Sequence, residues 1–262
     1  MGSLFVSTFL LEIGTEELPA DFASAVLDQF QNMVKRDLGN RRFTHGEIYC
    51  TSTPRRIALF IRDLATKGED FEEYKKGPPA SNAFKDGKAT NAAKGFAKKY
   101  GVDLTKLEVR ETTKGDFVFV KVVEKGEDVN TFLSTFVPEW IASLQGKRFM
   151  RWGSSDRKFS RPIRWIVSML NNQIIPISLD DTDPKVISGN VSRGHRLFAE
   201  TILVENASNY MEILGSVGIE VDRNKRKSFI KSLVKDSSRL LKASPDLSVN
   251  LLNELTDLVE SP

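Results

Sequence analysis

At 262 residues the chain has room for one large domain or two modest ones. Hydrophobic residues make up 40% and charged residues 28%, ordinary for a globular protein, and a net charge of +3 confines any polyanion-binding surface to a local cluster. Cys50 is the one cysteine, which excludes an intrachain disulfide and fits a reducing compartment; with His45 and His195 the chain lacks the ligands for a four-coordinate Cys/His zinc site.

Leu4–Ile13 is apolar, has no basic flank and runs into Glu12, so it predicts a buried strand and not a leader peptide. No apolar run approaches the roughly 20 residues of a membrane-spanning helix, so a cytoplasmic protein with no membrane partner is expected. Pro19 suits a first helical position, and Phe22, Val26, Phe30, Met33 and Val34 repeat at helical spacing. Lys35 and Arg36 favour the negative end of that helix, and Gly39 is the expected terminator. Strands are predicted over Glu47–Thr51 and Ile57–Leu64, so residues 1–66 form a β-α-β-β unit.

Residues 67–127 read as a loop or linker over Lys67–Lys88, then a small α+β subdomain. It holds a helix over Asn91–Tyr100 and strands at Glu108–Arg110 and Phe117–Val123, joined by a Lys114-Gly-Asp turn. Residues 128–262 begin with a helix over Asp128–Gln145, kinked at Pro138. A hairpin of Pro162–Leu170 and Gln173–Leu179 turns at Asn171-Asn172. A loop then ends in Ser192-Arg-Gly-His-Arg196. A strand over Thr201–Val204, a helix over Asn206–Leu214 and a short strand over Gly218–Val221 follow. A long helix over Arg223–Lys242 and a last helix over Leu247–Val259 complete an α+β fold without regular βαβ alternation.

The stretch from Lys147 to Trp165 carries the most chemistry. Among its nineteen residues seven are Lys or Arg and one is acidic, with Phe149, Trp152, Phe159 and Trp165 interleaved. Guanidinium groups pair with phosphates and aromatic faces stack on unpaired bases, so the stretch suits a nucleic-acid backbone. A basic loop beside a strand whose tryptophans merely pack is the other reading. Alternation along the strand puts Trp165 with Ile163 and Val167 on one face and Arg164 on the other. Arg151, Arg157 and Lys158, in the preceding loop, are the candidates for phosphate contact. Lys231, Lys235 and Arg239 offer a second basic face on the long helix, opposite Phe229, Ile230, Leu233, Val234, Leu240 and Leu241.

Glu12, Glu16 and Glu17 cluster where the first strand meets the first helix. They suit a cation, acid–base chemistry or simply a helix N-terminus. Thr53-Pro-Arg-Arg56 presents Arg55 and Arg56 rigidly, for phosphate or for an ion pair with the Glu16–Glu17 corner. His195 has no adjacent nucleophile or carboxylate to make a triad. The chain contains no phosphate-binding Gly-x-x-x-x-Gly-Lys loop, no dinucleotide fingerprint and no nucleophile elbow, so no catalytic residue is assigned and no cofactor is expected here.

Five motifs appear in order: Glu12-Ile-Gly-Thr-Glu-Glu-Leu-Pro19, Thr53-Pro-Arg-Arg56, Met150-Arg-Trp-Gly153, Arg161-Pro162 with Trp165, and Arg193-Gly-His-Arg196. Together they resemble the N-terminal part of the β subunit of bacterial-type heterotetrameric glycyl-tRNA synthetase. Weaker echoes lie at Lys76-Gly-Pro78, Ala92–Ala97, and Arg110–Thr112 with Lys114-Gly115. Leu197, Ser261 and the residues around Phe149 depart from the family pattern.

The resemblance implies ATP-dependent attachment of glycine to its tRNA. The α subunit would carry adenylation and ATP, and β would supply tRNA binding, with room for a second β subunit. Trp152, Arg161, Arg193, His195 and Arg196 enter as motif residues without an assigned role. A hydrolytic editing module using the Glu12–Glu17 corner and His195, or a stand-alone RNA-binding module, is the alternative.

Overall fold

The computed structural model describes residues 6–154, 156–179, 182, 184–195 and 201–262. Strand β1 (Val6–Thr15) is buried on both faces, with Phe9, Leu11 and Ile13 toward one core and Leu10 toward another, which is why its sequence reads as an almost unbroken apolar run. Helix α1 (Ala20–Asn40) buries Phe22, Val26, Phe30, Val34 and Leu38 at the predicted spacing. Pro19 is its N-cap residue, and Gly39 does not end it. The helix runs one residue further, and the left-handed position after it is filled by Arg42 at φ 60°. Strands β2 (Ile48–Thr53) and β3 (Arg56–Ala65) form an antiparallel hairpin, and β3 pairs with β1 along nearly its whole length.

The chain divides into two compact units, and the second, Gly68–Gly126, interrupts the first. Where a loop or linker was expected over Lys67–Lys88, the inserted unit has strand β4 (Phe71–Pro79), helix α2 (Ala80–Ala83) and a two-residue hairpin, β5 (Phe84–Lys85) with β6 (Lys88–Ala89). The linker reading failed because β4 is largely solvent-facing, so its sequence carries little apolar signal. Helix α3 (Asn91–Lys99) and strands β7 (Leu107–Thr112) and β8 (Gly115–Glu124) complete the unit, with the sheet in the order β4-β8-β7. Its small core joins Ala83, Ala93 and Val118, with Phe84, Phe96, Leu104 and Leu107 around them.

In the main unit, helix α4 (Val129–Ser143) is capped by Asp128, which accepts from the Asn130 and Thr131 amides, and carries Pro138 within it. Trp140 of α4 donates its indole N–H to Asp37 of α1 at 2.9 Å. Strand β9 (Ile163–Leu170) lies antiparallel to β1, so the two neighbours of β1 in the sheet, β3 and β9, are separated in sequence by the whole inserted unit and α4. Asn171, at φ 53°, turns β9 into β10 (Gln173–Ile174). The expected strand Gln173–Leu179 is broken at Pro176, which has no N–H to donate, and resumes as β11 (Ser178–Leu179). Strands β12 (Val186–Gly189) and β13 (Val191–Arg193) occupy what was expected as loop. β12 pairs with β11 and, in parallel, with β9; β13 pairs with β14 (Thr201–Leu203).

Helices α5 (Tyr210–Ser216), α6 (Arg223–Leu241) and α7 (Val249–Thr256) follow. Gly218–Val221 is not a strand: the Ile219 amide closes the end of α5 on Leu214, and the Glu220 amide donates to the carbonyl of Glu260. The large sheet runs β11-β12-β9-β1-β3-β2. α1 and α4 cover one face, while Ile202, Val204, Tyr210, Leu214 and Ile219 cover the other. The fold is α+β. The apolar face expected along α6 is buried only at Ile230; Phe229, Leu233, Leu240 and Leu241 are exposed, because only the first half of the helix meets the rest of the fold. Among the described residues no helix is long and apolar enough to cross a membrane, and no cluster of His, Cys, Asp and Glu is arranged to hold a metal ion.

Candidate functional site

Arg56, the first residue of β3, is fully buried, and every donor on its guanidinium that is seen to bond meets an oxygen from a different part of the chain. Nε donates to Glu260 Oε1 at 3.1 Å, and Nη1 to Glu12 Oε1 at 3.1 Å and Ser192 Oγ at 3.3 Å. Nη2 donates to the carbonyl of Arg193 at 2.9 Å. Trp165 Nε1 and Ser192 Oγ also donate to Glu12 Oε1, at 3.1 and 2.8 Å. Arg56 therefore joins β1, β13 and the C-terminal tail around one charge.

The electrostatics follow from burial. With all three groups ionised, Glu12, Arg56 and Glu260 carry one excess negative charge. Burial pushes the Glu12 carboxyl above its ordinary range, with Arg56 opposing the shift. Burial would pull Arg56 down, but the Glu12 and Glu260 carboxylates outweigh it and hold the guanidinium above its usual value. Oε2 of Glu12 and Oε2 of Glu260 are both buried without a hydrogen bond, as is the Tyr210 hydroxyl beside them, so a proton on Glu12 would relieve the excess charge.

Trp165 lies flat across Gly14: a Cβ at that position would sit 1.9 Å from the indole ring. The glycine of the first motif thus makes room for the tryptophan of the fourth. The Arg55, Arg56 and Arg193 guanidinium carbons stand 5.8, 5.8 and 5.0 Å from the ring centroid. Arg55 also donates to the carbonyl of Gly194 at 3.4 Å, and burial lowers its pKa. His195 lines a cavity of about 210 Å3 with Glu17, Pro54, Arg55 and Glu260. The end of β1 and the residue after it are fastened at both sides, by Thr15 N–H to the Arg55 carbonyl at 2.8 Å and Glu16 N–H to the Pro162 carbonyl at 3.1 Å.

Of the ion pairing expected between Arg55-Arg56 and the Glu16–Glu17 corner, Arg55 and Glu17 do line one cavity and attract each other, but Arg56 and Glu16 go elsewhere. Arg56 takes Glu12 instead, and Glu16 pairs with Arg164. The cause is a β-bulge. Gly14 is opposite Trp165 while Thr15 is opposite Ile163, so Arg164 is the extra residue and is pushed outward to Glu16. The bulge also puts Ile163 in the core under α1 and α4 while Trp165 and Val167 join the other one, so the three do not share a face.

The basic loop before β9 is held at its base by a bridge between Met150 and Phe159. Phe149 and Phe159 pack edge-on against Phe22, and Trp152 is buried in the same core. These aromatics are anchors and not stacking platforms. Arg151 and Lys158 are exposed and Arg157 half-buried; Arg151 lies 3.6 Å from exposed Asp156, and Arg161 donates to the carbonyl of Ser160. Lys231, Lys235 and Arg239 are exposed on α6, with Arg239 at 3.5 Å from Asp236. Arg196 lies outside the described residues.

Sequence reasoning missed Ser192, Tyr210 and Glu260 as members of the buried cluster, and it missed Arg226. Arg226 is fully buried and donates to the carbonyls of Thr256, Glu220, Val221 and Ser52, pinning α6 to the hairpin and the tail. Burial lowers its pKa to about 10, so it stays charged at neutral pH. An arginine at helical spacing in a Lys/Arg-rich helix gave no signal that it points inward.

Residues 9–262 match the sequence profile described as the glycyl-tRNA synthetase beta subunit. The chain belongs to that family. It is 46% identical over 258 residues to the glycine–tRNA ligase beta subunit of Trichodesmium erythraeum, covering 98% of this chain and 36% of the relative. The corresponding protein of Clostridioides difficile is 34% identical over 255 residues, and that of an Enterobacter species 36% over 258. The chain thus spans little more than a third of the length of these relatives and corresponds to an N-terminal part of them. No relative supports the editing-hydrolase alternative. In this chain the hub around Arg56 is where the motifs Glu12–Pro19, Thr53–Arg56, Arg161–Trp165 and Arg193–His195 converge.

Proposed function

We propose that this chain serves the ATP-dependent joining of glycine to its tRNA as a tRNA-facing, non-catalytic part of a β subunit. It would work in the cytoplasm with an α subunit that holds ATP and forms the adenylate, in a heterotetramer that includes a second β subunit. The observation that carries the reading is the loop from Lys147 to Arg161: its aromatic side chains Phe149, Trp152 and Phe159 are anchored in the core while Lys147, Arg148, Arg151 and Lys158 stay exposed. A buried base under exposed cations suits a phosphate backbone, since the anchoring fixes where the charges stand. The Arg56 hub would serve this arrangement structurally. Glu12 is sealed from solvent, which leaves it no substrate to act on.

The test is direct. The purified chain, free of α subunit, should retard tRNA in a gel-shift at low salt and form neither glycyl-adenylate nor glycyl-tRNA above background. Charging by the chain alone would overturn the non-catalytic assignment, and failure to bind tRNA at any salt would overturn the tRNA-facing one.

A further inference from the structure

The inserted unit has a sheet face that breaks the usual pattern. A sheet covered on one side alternates apolar inward with polar outward. Strand β8, the middle strand, is apolar on both sides. Val118 and Val120 are buried inward, while Phe117, Phe119 and Val123 fall on the other face, outside the unit's core. The pairings put Tyr74 opposite Lys121, Lys76 opposite Phe119, and Arg110 opposite Phe117 on that same face. Tyr74 is 41% exposed, Lys76 and Lys121 are exposed, and Phe117 and Phe119 are half-buried.

The cations sit on the rings. Arg110 Cζ is 3.5 Å from the Tyr74 centroid, and Lys76 Nζ is 3.4 Å from that of Phe117. Two carboxylates share the face, each taken by a cation of the same face: Glu108 by Arg110 at 2.6 Å and Glu72 by Lys121 at 2.7 Å. Lys76 is the excess positive charge, and Lys114 stands at the β7–β8 turn.

We propose that this open face is a stacking surface for unpaired nucleotides of RNA. The inference rests on the tRNA-facing reading and deepens it by naming a second surface and the strand state it takes. Bases stack on aromatic rings and on guanidinium planes, so Arg110, laid over Tyr74, presents a planar cation to a base, while Lys76 and Lys114 stand ready for phosphates, and a flat sheet is accessible to single strands where a duplex hides its bases. The rings of this face carry cations instead of forming a continuous apolar patch, and its one uncompensated charge is positive, which matches a polyanion.

The experiment uses the full chain and a fluorescent ten-nucleotide single-stranded RNA, with a duplex of the same sequence as control, read by anisotropy. Tyr74→Ala and Phe119→Leu are compared with wild type; the leucine keeps apolar bulk while removing the ring, and circular dichroism checks folding. Each change should weaken single-strand binding about 10-fold, the size of one base–aromatic stack, and leave duplex binding unchanged. Unchanged single-strand affinity in both variants, or no single-strand binding by wild type, overturns the proposal. So does a loss of α-subunit binding with RNA binding intact, which would make the face a protein interface. If neutralising Arg151, Arg157 and Lys158 weakens tRNA binding while the sheet variants bind normally, the tRNA-facing reading stands and this proposal falls. If neither set has any effect on tRNA, both fall.

Discussion

Replacing Arg56 by Met would strip the hub of its central buried guanidinium while keeping most of the side chain's apolar bulk. Two carboxylates, Glu12 and Glu260, would then share a buried space with no guanidinium between them. Removing one partner of a buried ion pair costs about 3 to 5 kcal/mol, because the remaining charge is left uncompensated. Protonation limits the cost. Neutralising a carboxyl of ordinary pKa near 4.3 costs about 3.7 kcal/mol at pH 7 and about 1 kcal/mol at pH 5. Two such groups set ceilings of about 7 and about 2 kcal/mol.

Arg56→Met should therefore lose about 4 to 5 kcal/mol near pH 7 and about 2 kcal/mol near pH 5. The sign follows from linkage. In the variant Glu12, already raised by burial, loses the Arg56 charge that opposes the shift, so its contribution is favourable below the unfolded pKa and is lost as pH rises through the folded pKa. In the wild type Glu12 shows the same sign, as burial raises it. Urea denaturation followed by tryptophan fluorescence reads this cleanly, because Trp140, Trp152 and Trp165 all lie in the main unit. A loss under about 1 kcal/mol at pH 7, or a loss that fails to shrink toward pH 5, would refute the account of the hub.

Phe30→Ala removes a fully buried ring that meets Trp140 edge-on, and should cost roughly 3 to 5 kcal/mol in the same denaturation assay. Gly14→Ala places a methyl 1.9 Å from the Trp165 ring, so it should destabilise by about 1 to 3 kcal/mol or more and shift the tryptophan emission. Burial pushes the Cys50 thiol up to about 12, so iodoacetamide at pH 8 should label it far more slowly in the native chain than in urea.

The elements with local periodicity were legible in the sequence. α1 announces itself by Phe22, Val26, Phe30 and Val34, and α4 by the Asp128 cap and its apolar stripe. Non-local pairings were not. Nothing in residues 6–15 says that β1 lies between Arg56–Ala65 and Ile163–Leu170, and the bulge that turns Arg164 outward exists only once those strands pair. The same limit hid the hub. Glu12, Arg56, Trp165 and Arg193 stand out as motif residues, but their common purpose depends on Glu260, which arrives from 204 positions beyond Arg56. β4 was unreadable for a different reason, since a strand with little buried area carries little apolar pattern.

The central claim, that the loop before β9 faces the tRNA backbone, is tested most directly by the salt dependence of tRNA binding. Wild type and the triple variant Arg151→Gln, Arg157→Gln, Lys158→Gln would be titrated with tRNA across a range of salt concentrations, and log affinity plotted against log salt. If the loop meets phosphates, the variant's slope should flatten by about two to three units, each lost contact removing close to one. Folding stability should change little, since exposed charges contribute little. A variant that binds tRNA with the wild-type slope would contradict the claim and assign the loop to subunit docking or internal ion pairs.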